Sequence, residues 1–340
     1  MNRKPVLLVV AFAAALAAPP ARAQLQVKGY LSFHYQDGES QSYSPYGDFG
    51  NARAGVFFLG LIERVFDYNL EVSFDSHDLV EMQEAWVGYK PSEAFHVKLG
   101  MYLVPFGVYN TASRPYQTPL IRTPLPQSAL YPESWRDLGV LAEGKSKIFR
   151  YAVYLGNGLR EAADLGSGQQ FGDNNGNKAR GTQLALELSR GFEVGVSYSR
   201  NRFDDAGERS LDLWGAHASW TSQGFRFLYE YDRAEIENPA GFEKGKAHGH
   251  LVLGSLSWGE FSPVVSYQQL DYDDAYHGAD FSVPLAGAGA GIVLAESRWT
   301  VGFVFTPVEA VMLKLEYEFN REKRAEINND LFLAQVALHF

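Results

Sequence analysis

The chain has 340 residues, 46% of them hydrophobic and 14% aromatic, with 33 glycines, no cysteine and a formal net charge of −10. The acid excess speaks against nucleic acid as a partner, and the missing cysteines exclude a disulfide framework or thiolate metal sites. Beyond the first 23 residues no uninterrupted apolar stretch reaches the roughly 20 residues that a membrane helix needs.

The chain opens Met1-Asn-Arg-Lys4, continues with the apolar run Val6 to Ala18, and reaches Ala21-Arg-Ala23 before Gln24. A positive start, a short hydrophobic run and a small-residue cleavage site are the layout of a secretory signal peptide. Residues 1–23 are therefore expected to be removed, leaving a mature chain of 24–340 that loses Arg3, Lys4 and Arg22 and becomes more acidic still. If such an exported chain spans a membrane, it must do so as strands.

From Gln24 onward, period-two segments alternate with connections. In the first, about 24–36, Leu25, Val27, Leu31, Phe33 and Tyr35 share one face and Gln26, Lys28, Ser32 and His34 the other. Further strands are expected near 51–62, 68–75, 80–89, 95–102, 138–143, 149–155 and 178–188. The remainder fall near 192–200, 211–220, 225–231, 248–258, 261–272, 298–305, 311–320 and 331–340. The count is about sixteen, and long connections join each odd strand to the next even one. That sorting is what an outer-membrane barrel requires, with tight turns in the periplasm and long loops outside the cell.

The last segment puts Phe332, Ala334, Val336, Leu338 and Phe340 on one face, with Gln335 and His339 opposite. Its terminal aromatic resembles the signal read by the barrel-insertion machinery, which makes that machinery an expected partner through Phe340. The fold expected is all-β, a transmembrane antiparallel up-and-down barrel of about 16 strands in the outer membrane of a Gram-negative bacterium. Unpaired backbone cannot be left in hydrocarbon, so the last strand should close on the first. Sixteen strands leave an aqueous lumen, which points to passive diffusion of small hydrophilic solutes or ions and not to an enzyme.

The connection from Pro105 to Arg136 follows the fifth strand and is rich in proline. Between Val108 and Pro132 it carries Arg114 and Arg122 and no acid, so it reads as an inward-folded third outer loop whose positive potential admits anions. Tyr116 and Tyr131 are further constriction candidates on it. The alternative is a loop folded over the rim, its arginines in water or paired with Glu133. On the strands, Lys98, Arg150, Arg180 and Arg226 are candidates for a basic ladder along the pore, and Lys314, Glu316 and Glu318 for further lining. Salt-bridged wall residues are the competing reading.

Other clusters carry weaker chemistry. Asp75, His77 and Asp78 lack a marked serine for a hydrolytic site. His248 and His250 share a strand face and could hold a metal, and Asp271, Asp273, Asp274 and Asp280 could collect cations that bridge lipopolysaccharide. The Ala/Gly run Leu285 to Ile292 lacks a phosphate-loop lysine. No catalytic residue, metal or cofactor is expected, and lipid and lipopolysaccharide are the expected surroundings.

At Val97-Lys-Leu-Gly-Met-Tyr-Leu-Val-Pro-Phe-Gly107 the chain resembles the phosphate-selective porin O and P family, in which such a strand leads into the large inward loop. Arg136-Asp-Leu-Gly139 and Tyr154-Leu-Gly-Asn-Gly158 are similar to neighbouring segments of that family, and the likeness is best over about Glu84 to Gly158. The resemblance implies a sixteen-stranded homotrimeric porin with a basic eyelet. Here an eyelet of that kind would rest on the two loop arginines and scattered wall bases. A non-conducting structural or adhesin barrel is the rival reading.

Overall fold

The computed structural model describes residues 24–42, 44–76, 80–277, 284–285, 290–291, 296–323 and 326–340. The signal-peptide segment 1–23, His77, Asp78, Asp280 and residues 286–289 and 292 of the Ala/Gly run lie outside the described residues.

Among the described residues, sixteen antiparallel strands form one closed barrel. They are β1 (Gln24–Gly38), β2 (Asp48–Ile62), β3 (Phe66–Asp75), β4 (Val80–Ser92), β5 (Phe95–Leu103) and β6 (Arg136–Ser146). Next come β7 (Phe149–Gly156), β8 (Ala179–Ser189), β9 (Phe192–Arg202), β10 (Ser210–Ser222) and β11 (Phe225–Ile236). The ring is completed by β12 (Gly245–Leu256), β13 (Phe261–Asp274), β14 (Glu296–Val308), β15 (Val311–Glu322) and β16 (Leu331–His339). Each strand pairs with its neighbours in sequence, and β16 pairs with β1, placing Val336 opposite Phe33 and Leu338 opposite Leu31. Gly29 and Phe340 exchange backbone hydrogen bonds of 2.9 and 3.0 Å, so no edge is left open at that seam. Among the described residues no helix is long and apolar enough to cross a membrane.

All sixteen expected strands are present, and most run one to five residues further than their apolar stripes. On β11 the extension is Asp232 to Ile236, where the outward residues become the ion pair Arg233–Glu235 at 2.5 Å. Pairing continues where the outer face becomes charged, and hydropathy alone cannot see it.

Alternation sorts the two faces. Leu25, Val27, Leu31 and Phe33 of β1 and Val301 and Phe303 of β14 are exposed and apolar, as a lipid-facing band should be. Ser266, Gln268, Lys314, Glu316 and Glu318 are buried on the inner face. The interior also holds a packed apolar core, in which Phe106, Leu130, Tyr131 and Trp135 from the long connection meet Leu211, Leu213, Ala234 and Ile236 of the wall. Placing a charge in the lipid band should be costly. Val196→Arg on outward-facing β9 is expected to destabilise the barrel by about 2–4 kcal/mol if it lies near mid-membrane. Urea unfolding in lipid vesicles, followed by tryptophan fluorescence, would show it as a lower midpoint.

Candidate functional site

The connection between β5 and β6 is fastened to the wall residue by residue, beginning at Gly107. There φ is +62°, a conformation in which glycine is unstrained, and an added Cβ would collide with the Glu230 carboxylate. Glu230, on β11, accepts hydrogen bonds from the amides of Val108 at 2.9 Å and Tyr109 at 3.1 Å. The Gly107 amide donates to Ser197 Oγ at 3.1 Å, and its carbonyl accepts from Gln183 Nε2 at 2.5 Å. Asn110, in a 3₁₀ turn at Asn110–Ala112, joins the two ends of the connection. Its amide donates to the carbonyls of Val104 and Trp135 and accepts from the Trp135 amide, each at 2.8 Å.

Arg114 then reaches the opposite wall. Its guanidinium meets both carboxylate oxygens of Glu71 on β3, at 3.0 and 2.5 Å, and Glu84 on β4 at 2.9 Å. Burial works against the Arg114 charge, but the hydrogen bonds and attraction from Glu71, with the Glu84 charge, more than offset it and hold its pKa above the ordinary arginine value. Tyr116 packs between Tyr30 and His339, with ring centroids 5.7 and 5.0 Å away. Beyond it, β15 supplies three clamps. Lys314 donates to the carbonyls of Pro115 at 2.6 Å and Leu120 at 3.3 Å, Glu316 accepts from the Ile121 amide at 3.0 Å, and Glu318 pairs with Arg122 at 2.8 Å. A short helix, α1 (Leu125–Ala129), is held by Gln268, which accepts from the Leu125 amide at 3.0 Å. Gln127 donates to Glu230 at 3.3 Å and to Asp232 at 2.8 Å.

Cavities flank this segment. One of about 210 Å³ is bordered by Arg53, Ser73, Glu81, Gln83 and Arg136. Another of about 410 Å³ is bordered by Glu84, Lys98, Arg114, Glu143 and Arg150.

Residues 10–332 match a protein family described as Gram-negative porin. The chain belongs to the Gram-negative porins. OmpF of Salmonella typhi, solved in complex with daunomycin, is 15% identical with a TM-score of 0.66, over 93% of this porin and 97% of that chain. An anion-selective porin from Comamonas acidovorans is 11% identical with a TM-score of 0.64, over 93% and 99%. The trimer form of the Vibrio cholerae outer membrane protein OmpT is 12% identical with a TM-score of 0.65, over 94% and 99%. Likeness at these identities concerns the fold. An uncharacterized protein of Aquifex aeolicus (strain VF5) is 26% identical over 145 residues, 40% of this porin and only a third of that relative's length. Family and fold together place the porin in the outer membrane and point to a channel rather than an enzyme.

Several expected site residues stand elsewhere than their sequence suggested. Arg114 and Arg122 do not pair with Glu133; wall carboxylates take both. Tyr131 is fully buried, its ring 5.3 Å from Phe106 and 5.6 Å from Trp135, so it packs the core and lines no passage. Burial raises its hydroxyl pKa, with the Asp232 and Glu230 charges adding to the effect. Lys314, Glu316 and Glu318 do face inward, but the connection covers them, and they act as clamps on it.

The basic ladder does not form. Lys98 pairs with Glu143 at 2.7 Å, Arg150 pairs with Glu193, and Arg226 donates to the Gln117 carbonyl at 3.0 Å. Arg180 is exposed on the outward face of β8, in step with Leu184 and Leu186, and so is not in the lumen. His248 and His250 also face outward, the first 3.0 Å from Asp273 and the second 3.0 Å from the Tyr229 hydroxyl. Asp274 pairs with Lys246 at 3.0 Å, and Asp271 with Lys323. No group of three or more potential metal-ligating side chains gathers among the described residues. Sequence reasoning missed Glu84, Asn110 and Gln127. A register shift between β3 and β4 breaks the alternation just before Glu84, and the other two lie on a connection with no period at all.

Proposed function

We propose that this porin forms a narrow water-filled channel for passive diffusion of small hydrophilic solutes, and that residues 107–122 cross its lumen as the constriction. One observation carries the reading. In a closed ring of sixteen, β3 and β11 lie eight strands apart, yet Val108 is bonded to β11 and Arg114 to β3. Both partners are carboxylates buried on the inner face, and the backbone of seven extended residues, about 25 Å, is short of the roughly 38 Å that eight strand spacings take along the wall. The direct course runs through the interior.

The channel is off-axis. Tyr109 and Leu120 pack against Leu228, Leu251, Leu253 and Val264, which fills the side facing β11–β13. A cavity of about 610 Å³ opens between Arg122, Glu296, Arg298 and Asn320, but only the charged and polar inner faces of β2–β6 border cavities both above and below Arg114, and we place the passage there. Arg114 faces two carboxylates and Arg122 shares Glu318 with Arg298, whose Nε is 3.4 Å from it. The resemblance to porins O and P would favour phosphate, but paired arginines give little net positive potential. The charge preference we propose is therefore weak.

Reconstitution into a planar bilayer tests the proposal. Discrete conductance steps, with a small reversal potential in a salt gradient, are expected. A silent bilayer with correctly folded protein would favour the non-conducting barrel.

A further inference from the structure

The outward position of Arg180 leaves a charge arrangement that the channel does not use. Arg180 on β8 and Arg200 on β9 are direct cross-strand partners, and both point away from the lumen. Like charges placed opposite each other repel. Asp212 is the carboxylate paired with Arg200, at 3.6 Å, and it also accepts the Tyr198 hydroxyl at 2.6 Å. Arg180 makes no ion pair among the described residues. Arg202, the next outward residue on β9, is held by Glu237 and by the Glu208 carbonyl. Of the two guanidinium groups, one is thus met by a carboxylate and the other by none among the described residues.

Their depth is informative. One outward position toward the turns, Tyr198 and Trp214 bring their rings within 4.2 Å, and such aromatic residues favour the headgroup level of a bilayer. Below them the face is apolar, with Leu184, Leu186 and Val196 exposed. Arg180 opens β8 directly after the long connection 157–178, so it stands at the end that faces out of the cell. Charge near this level costs little, and a planar guanidinium fork matches a phosphate.

We propose that Arg180 and Arg200 bind the phosphate of an outer-leaflet phosphoglycolipid whose acyl chains lie along Leu155, Leu184 and Val196. The site depends on the barrel and its membrane, not on conduction. Native mass spectrometry of the mature protein in detergent tests it with bisphosphorylated lipid A, the same lipid dephosphorylated, and sodium phosphate. The phosphorylated lipid should bind and the dephosphorylated one should bind roughly tenfold more weakly or worse, as expected for the loss of a charge-assisted hydrogen bond. R180S/R200S should show the same loss, and R233S, on the same rim but removing an arginine already paired with Glu235, should not. Equal binding of the two lipids to the parent protein would overturn the site. So would an unaffected double variant, or inorganic phosphate binding as tightly as the lipid.

Discussion

Replacing Arg114 by alanine is expected to widen the channel and turn it toward cations. The side chain ties the β5–β6 connection, the constriction we propose, to the β3–β4 wall, and Glu71 beneath it is 1% exposed. Removing one member of a buried ion pair costs about 3–5 kcal/mol, because the remaining charge stays buried without a partner. Here two carboxylates would remain, repelling each other beside a segment that had lost its anchor. Detachment of residues 110–118 from this wall relieves that repulsion and admits water. Single-channel conductance should rise and grow noisier, and the reversal potential in a salt gradient should move in the cation direction. Arg114→Lys keeps the charge and loses the two-pronged geometry, so it should fall between the parent and the alanine variant. Adding Glu71→Gln to Arg114→Ala removes the stranded charge and should recover part of the lost stability. An unchanged conductance and reversal potential in Arg114→Ala would show that the tie does not border the conducting path.

The barrel was legible in the sequence because membrane strands repeat one physical demand. Every second residue meets lipid while its neighbours meet water or packed protein, and the ladder must close, so period, strand number and loop alternation were all present in the chain. The site was less legible. Arg114 meets a partner 43 residues away and Arg122 one 196 residues away, and no local pattern encodes such pairs. Arg180 is a different case. It has the parity of Leu184, Leu186 and Leu188, so the strand itself placed it outside; the expectation that a charge must avoid lipid overrode that signal at a strand end, where the penalty is small. At Leu251-Val252-Leu253 alternation is absent altogether, since one side faces outward and the other packs against Tyr109 and Leu120 of the β5–β6 connection. An apolar inner wall is thus the sequence trace of a segment packed against it.

That asymmetry gives the second large effect, which can be read by chemical labelling because the chain has no native cysteine. Cysteine at Arg53, bordering the cavity on the loop side of the constriction, or at Thr111, bordering the one on the turn side, should react promptly with a small charged thiol reagent and reduce the current. Cysteine at Leu213 or Ala234 also points inward, but each of these positions is at most 1% exposed within the packed core. Reaction there must wait for local opening, and an opening free energy of about 3 kcal/mol slows labelling roughly a hundredfold. A channel along the barrel axis makes the opposite demand, since inner-face residues all around the ring would then label at similar rates. Equal labelling at Arg53 and Leu213 would therefore refute the off-axis course while leaving the barrel and its conductance intact. Fast labelling at Arg53 and Thr111 alone would locate the water on the β2–β6 side and tie the current to the segment held by Arg114.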